Sequence, residues 1–151
     1  MKGRGKLALL AWLDLLRGAN RIKKIIDSRL KSEFGQSISR FDALSALQRS
    51  DSNGIRAGEL SRMLVVSEGN ITQLMGKLVR DGLVLRRPHE QDARVVIYQL
   101  SEAGAALFTT MAKHHRRWIT ELFSSLNDNE AADLRTLLEQ LSQSPSSKEP
   151  S

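Results

Sequence analysis

No cysteine occurs in the 151 residues, which excludes disulfides, thiolate metal ligands and a cysteine-based redox switch. Histidine is nearly as scarce. His89, His114 and His115 are the full set, and none stands beside a nucleophile motif, a glycine-rich phosphate loop or an HExxH pair. No apolar run approaches the roughly 20 residues that a bilayer span requires. The opening MKGRGKLALLAWLDLL starts like an export signal, but Asp14 interrupts it and no small-residue cleavage site follows. A cytoplasmic protein with no membrane partner is therefore expected. There is no internal repeat, and together these absences turn the reading away from redox, secreted, membrane and repeat proteins.

What is present is positive charge and helical patterning. Lysine and arginine number 23 against 17 acidic residues, a formal net charge of +6, which favours a polyanionic partner such as nucleic acid. With 40% hydrophobic residues the chain suffices for one compact domain or a small module with helical extensions.

Apolar residues recur at helical spacing from Lys6 to about Phe34 (Leu9, Leu13, Leu16, Ile22, Ile25, Ile26, Leu30), with Arg17, Arg21, Lys23, Lys24 and Arg29 between them. Gly35 closes this helix. Ser39 is expected to cap a second through Phe41, Leu44 and Leu47, with Asp42 in its first turn. SDSNG at 50–54 reads as a turn, IRAGELSRMLVV as a short helix around Leu60 and Leu64, and Ser67 as the cap of a helix running to Gly82. Leu83–Arg87 and Arg94–Leu100 flank a loop containing Pro88 and read as a two-stranded ribbon, with Leu83, Leu85, Val96 and Tyr98 facing the helices. Ser101 caps the next helix, which keeps its period as far as Leu126. Asn127 and Glu130 form a capping-box start for the last, through Leu141. The Ser- and Pro-rich end is expected to be disordered. The terminal helices carry more apolar surface than the central module can cover, so a second copy of the chain is the expected remedy.

Residues 57–82 have the layout of a helix-turn-helix, whose second helix enters the major groove. If Ile71, Leu74, Met75 and Leu78 face inward, Glu68, Asn70, Thr72, Gln73 and Lys77 face out, and amides and hydroxyls are the groups that read base edges. Ser67 serves as cap and as a candidate phosphate contact. A ribbon following such a helix is a wing. Arg86 and Arg87 at its base, His89 near its tip and Arg94 at its return are candidates for the minor groove and flanking phosphates. The rival reading is a solvated edge guarded by charge. Asp92 lies two residues from Arg94, and Arg94 is assigned to shaping the loop with it.

Rival functions rest on less. His114 and Glu121 share a helix face, but two possible ligands make no metal site, so neither metal nor cofactor is expected. An architectural DNA binder needs few base-reading groups, which the polar second helix argues against.

From about Leu44 to Gly104 the sequence resembles the MarR family of winged-helix regulators. The most specific stretch is DGLVLRRPHEQDARVVIYQLSEAG, with a D-x-R wing at Asp92 and Arg94 and a strand-to-helix junction at Leu100–Gly104. SEGNITQLMGKL is similar to the family's recognition helix, although Gln73 stands where the family often has arginine, and Arg56 where it often has a Ser or Thr cap. The resemblance implies a mainly α fold: one domain over 1–143, with dimerisation helices at 6–34 and 101–142, a winged helix-turn-helix lobe at 39–100, and a tail at 144–151. It implies a homodimer on a palindromic double-stranded DNA operator, usually a repressor released by a small, often aromatic ligand such as an aromatic acid. The basic face of the first helix, Arg17, Arg21, Lys23 and Lys24, is otherwise a solvated face but suits a large anionic effector such as the acid's coenzyme A thioester. Trp12, Arg40, Phe41 and Trp118 are the effector-binding candidates. An effector-independent dimer is the alternative.

Overall fold

A computed structural model describes residues 2–50, 53–64 and 66–143. The described elements are α1 (Lys2–Phe34), α2 (Ile38–Arg49), β1 (Ile55–Arg56), α3 (Ala57–Leu64), α4 (Glu68–Arg80), β2 (Val84–Pro88), β3 (Val96–Leu100), α5 (Glu102–Leu122) and α6 (Asp128–Ser142). The chain divides into two compact units, residues 1–115 and 116–151, with α5 running across the division.

In the first unit the core is built from the inward stripes of α2 to α5 and from β2 and β3: Leu44, Leu60, Ile71, Met75, Leu78, Val84, Tyr98 and Met111 are fully buried. Only the later part of α1 joins it, through Ile26 and Leu30, whereas Leu7, Leu9, Leu10, Trp12, Leu15 and Leu16 are exposed. In the second unit Trp118 is buried, and α6 starts with a full capping box. Asn127 Oδ1 accepts from Glu130 N at 2.8 Å while Glu130 Oε1 accepts from Asn127 N at 3.0 Å. None of the residues of α6 is buried, and Leu137, Leu138 and Leu141 are exposed.

The second helix is capped by Ser37 rather than Ser39. Ser37 Oγ accepts from Arg40 N at 3.2 Å, and Asp27 of α1 reaches across to accept from Ile38 N at 2.9 Å. Two orphan donors at the start of α2 are thereby satisfied, so the helix begins two residues early and Asp42 falls beyond its first turn. The Lys31 ammonium at 2.8 Å, together with the Ile38 N–H, holds the Asp27 carboxyl below its ordinary value. The fifth helix stops at Leu122 instead of Leu126, because a turn precedes the Asn127 cap.

The expected ribbon is two strands of a three-stranded antiparallel sheet, ordered β1-β3-β2. Ile55 pairs with Tyr98 and Arg56 with Ile97, so residues expected to lead straight into a helix make an edge strand first. Leu85 is the other correction. The register sets Val84 opposite Leu100 and Leu85 opposite Gln99, so Val84 shares the Tyr98 face and Leu85 lies exposed on the other. Side-chain period is two, and a parity error of one residue moves a side chain across the sheet. Leu83 and Tyr98 are buried as expected, joined by Val84 and Ile97. The Ser- and Pro-rich end from 144 lies outside the described residues.

Candidate nucleic-acid interface

The turn between α3 and α4 is closed from both sides by one residue. Val66 N donates to Ser61 O at 3.1 Å, and the buried Ser61 hydroxyl donates back to the Val66 carbonyl. Ser61→Ala removes that bond, and a loss of about 0.5 to 1.5 kcal/mol is expected from the urea unfolding midpoint. An unchanged midpoint would show that the hydroxyl does not hold the turn.

Ser67 caps α4 as its sequence position predicts, accepting from Asn70 N at 3.3 Å. Ile71, Met75 and Leu78 are buried, which turns Asn70, Gln73 and Lys77 outward, all exposed. Arg80 stands on the same face at seven residues from Gln73 and is exposed. It was missed on sequence, although the three-four-seven spacing carried the signal. Gly69 and Gly76 share this face with open space around them. Thr72 lies on the flank, and its hydroxyl donates to Glu68 O at 3.0 Å, which leaves its methyl and its acceptor lone pair for a ligand. The Glu68 carboxylate turns toward the first turn of α3, with Oε1 3.4 Å from where a Cβ on Gly58 would stand. That is the positive end of the α3 dipole.

The wing loop is fixed by its own polar groups. His89 N donates to Val95 O at 2.8 Å, and Asp92 Oδ1 accepts from Arg94 N at 3.1 Å and from Arg94 Nε at 3.3 Å. Asp92 thus shapes the loop chiefly through the backbone, and the Arg94 side chain remains 92% exposed. Arg87 is tied inward, Nη2 donating to Asn53 O at 2.5 Å, while Arg86 is exposed. His89 Nδ1 accepts from Gln91 N at 3.1 Å, so in the neutral ring Nε2 carries the proton. Nε2 is 3.3 Å from Arg56 Nη2, which is also a donor. An anionic oxygen is the group that both can serve. They line a cleft of about 400 Å3 with Asn53, Glu59 and Arg87.

The candidates for an effector stand on α1, α2 and α5. Trp12 is exposed on α1, Trp118 is buried in the second unit, and Arg40 and Phe41 are neighbours on α2. Phe41 packs against Phe108 at 5.5 Å and His115 at 4.6 Å between ring centroids, and Arg40 pairs with Asp81. His114 Nδ1 lies 3.2 Å from Glu33 Oε2, with its ring edge-on to Phe34 at 5.2 Å. Burial lowers the His115 pKa from 6.5, with Asp42 opposing. The unfolded chain therefore takes up a proton at this imidazole at higher pH than the folded one. Stability is complete above about pH 6.5 and is lost as pH falls through that value. Urea midpoints at about pH 7.5 and 5.5 are expected to differ, and His115→Gln to narrow the difference. An equal pH response in both proteins would acquit this residue.

Residues 34–95 match the sequence model of the MarR family. The helix-turn-helix transcriptional regulator ML2140 of Mycobacterium leprae is 30% identical over 115 residues, 72% of this chain and 78% of that protein. The chain belongs to the MarR family. The transcriptional activatory protein BadR of Rhodopseudomonas palustris is 31% identical over 109 residues, 72% of this chain; the match spans 62% of BadR's length. Among solved structures, a mutant of Escherichia coli MarR complexed with operator DNA superposes with a TM-score of 0.79 at 25% identity, covering 90% of this chain and 95% of that one. This MarR-family protein thus has a winged-helix fold. Among its described residues no helix is long and apolar enough to cross a membrane.

Proposed function

We propose that this MarR-family protein is a cytoplasmic homodimeric repressor that reads a palindromic operator and is released by a small aromatic acid or its coenzyme A thioester. The observation that carries the reading is the exposed polar row Asn70, Gln73, Lys77 and Arg80 on a capped helix, beside a rigid wing whose Arg86 and Arg94 are exposed. Amides on that row select bases, while the wing cations and the Arg56–His89 donor pair neutralise phosphates. Asp92 gives the wing its shape.

A dimer follows from the leucines that each chain leaves in solvent along α1 and α6. It would set two recognition helices about 34 to 36 Å apart, facing successive major grooves. An effector carboxylate at Arg40, with its ring near Phe41, would compete with Asp81 at the end of α4. Binding there would lower operator affinity by linkage.

Duplexes selected from a random pool by the protein provide the test. Arg86→Ala is expected to weaken every duplex and to reduce the slope of log affinity against log salt by about 0.9. Gln73→Ala is expected to relax base preference at one position per half-site, costing about 1 to 3 kcal/mol on selected duplexes alone. Equal losses on all duplexes for both variants would overturn the division of roles. Thermal shift against aromatic acids and their thioesters, with and without a selected duplex, tests the effector. A shift reversed by DNA supports release, and no shift from any of them removes it.

A further inference from the structure

The end of the recognition helix is fastened from three directions. Its own backbone closes a Schellman motif, with Leu83 N donating to Leu78 O and Gly82 N to Val79 O, both at 3.0 Å, around Gly82 at φ 75°. From the start of α5, Ser101 Oγ donates to Gly82 O at 2.6 Å, and Ser101 N donates to Leu83 O at 3.1 Å. From α2, Arg40 Nη2 donates to the Asp81 carboxylate, across 41 positions of sequence.

The third fastening breaks a local rule at both of its ends. Asp81 is the C-cap of α4, where the helix dipole presents its negative end and repels a carboxylate. Arg40 is the third residue of α2, where the dipole presents its positive end and repels a cation. Neither charge helps the helix that carries it. Each is explained by the other. Arg40 is only 17% exposed, and its Nε is buried with no hydrogen-bond partner among the described residues, so the bond to Asp81 is the one it makes through its outer nitrogen. Charges placed against their own helices mark a site where tertiary geometry overrides local preference.

We infer that Arg40 and Asp81 are positioning residues for sequence-specific binding, a latch that fixes the tilt of α4 against α2. The inference rests on the reading that α4 contacts bases. Base-reading bonds have tight geometry while phosphate contacts tolerate displacement. Releasing the latch therefore costs specificity, leaving non-specific affinity in place.

The experiment compares a duplex selected from a random pool by the wild-type protein with an unselected duplex of equal length. Should the wild type show no preference between them, the base-reading function itself fails, before any variant is considered. Given that preference, Arg40→Ala and Asp81→Asn are each expected to weaken the selected duplex about tenfold. Binding of the unselected duplex and the salt slope stay as in the wild type. The double exchange of Arg40→Asp with Asp81→Arg restores the pair with both charges now aligned to their dipoles, so it is expected to recover the preference and to melt no lower than the wild type. If Arg40 merely touches phosphate, Arg40→Ala lowers the salt slope by about 0.9, Asp81→Asn strengthens binding, and the exchange does not recover it. Any of these results overturns the latch, as does loss of both duplexes together in Asp81→Asn.

Discussion

Gly104→Ala is expected to cost about 3 to 5 kcal/mol, a large share of the stability of a single domain. A Cβ at Gly104 would stand 2.0 Å from Leu83 O, 2.9 Å from its carbonyl carbon and 3.2 Å from its Cα. All three are backbone atoms, so no side-chain rotation relieves the clash. The Leu83 carbonyl already accepts from Ser101 N, and Gly104 N donates to Ser101 Oγ at 3.0 Å. Moving α5 away breaks this knot and strains the Ser101 bond to Gly82, each bond being worth about 1 kcal/mol on top of the steric term of about 1 to 3. Because the same knot closes the end of α4, the variant should also lose preference for its selected duplexes. Urea denaturation measures the first effect. A loss below about 1 kcal/mol would mean that the junction yields and that the helices are not held as closely as described.

Leu9→Glu combined with Leu16→Glu is expected to convert the proposed dimer into monomers and to abolish the proposed operator binding. Leu9, Trp12 and Leu16 are 57%, 55% and 40% exposed, and their spacing of three and four residues puts them on one face of α1. Burying a leucine contributes about 1.5 to 3 kcal/mol. The two exposures together amount to about one leucine per chain and twofold symmetry doubles it, so the pair of substitutions removes about 3 to 6 kcal/mol of association energy before the cost of desolvating the glutamates. That is at least about a hundredfold rise in the dimer dissociation constant. Sedimentation velocity at micromolar concentration should show the monomer, with helical content retained because neither leucine belongs to the single-chain core. A variant that still sediments as a dimer would place the interface elsewhere.

Much of the site was legible because its determinants are local. Ser67 as cap, Gly82 as stop and the inward stripe of Ile71, Met75 and Leu78 fix α4 and its outward row within 16 residues of chain. Asn127 with Glu130 is equally short in range, and so is the Asp92–Arg94 turn. The misses share the opposite character. Ile55–Arg56 is too short to carry any period and becomes a strand only because Tyr98 and Ile97 supply the ladder. Ser37 and Ser39 are equivalent caps on sequence, and the choice belongs to Asp27, 11 positions from Ile38. Leu85 was misplaced because parity in a hairpin is set by cross-strand register, not by the residue's own hydrophobicity.

The sequence by itself determined that the helices and the wing exist, the caps at Ser67 and Asn127, and the polar row as far as Lys77, since each depends on residues a few positions apart. Only the tertiary structure decided that Arg87 is tied to Asn53 while Arg86 and Arg94 are exposed, that Arg40 is engaged by Asp81, and that Gly54 and Gly104 admit no side chain. These depend on distances between segments that are far apart in the chain, and neither local periodicity nor propensity encodes such distances.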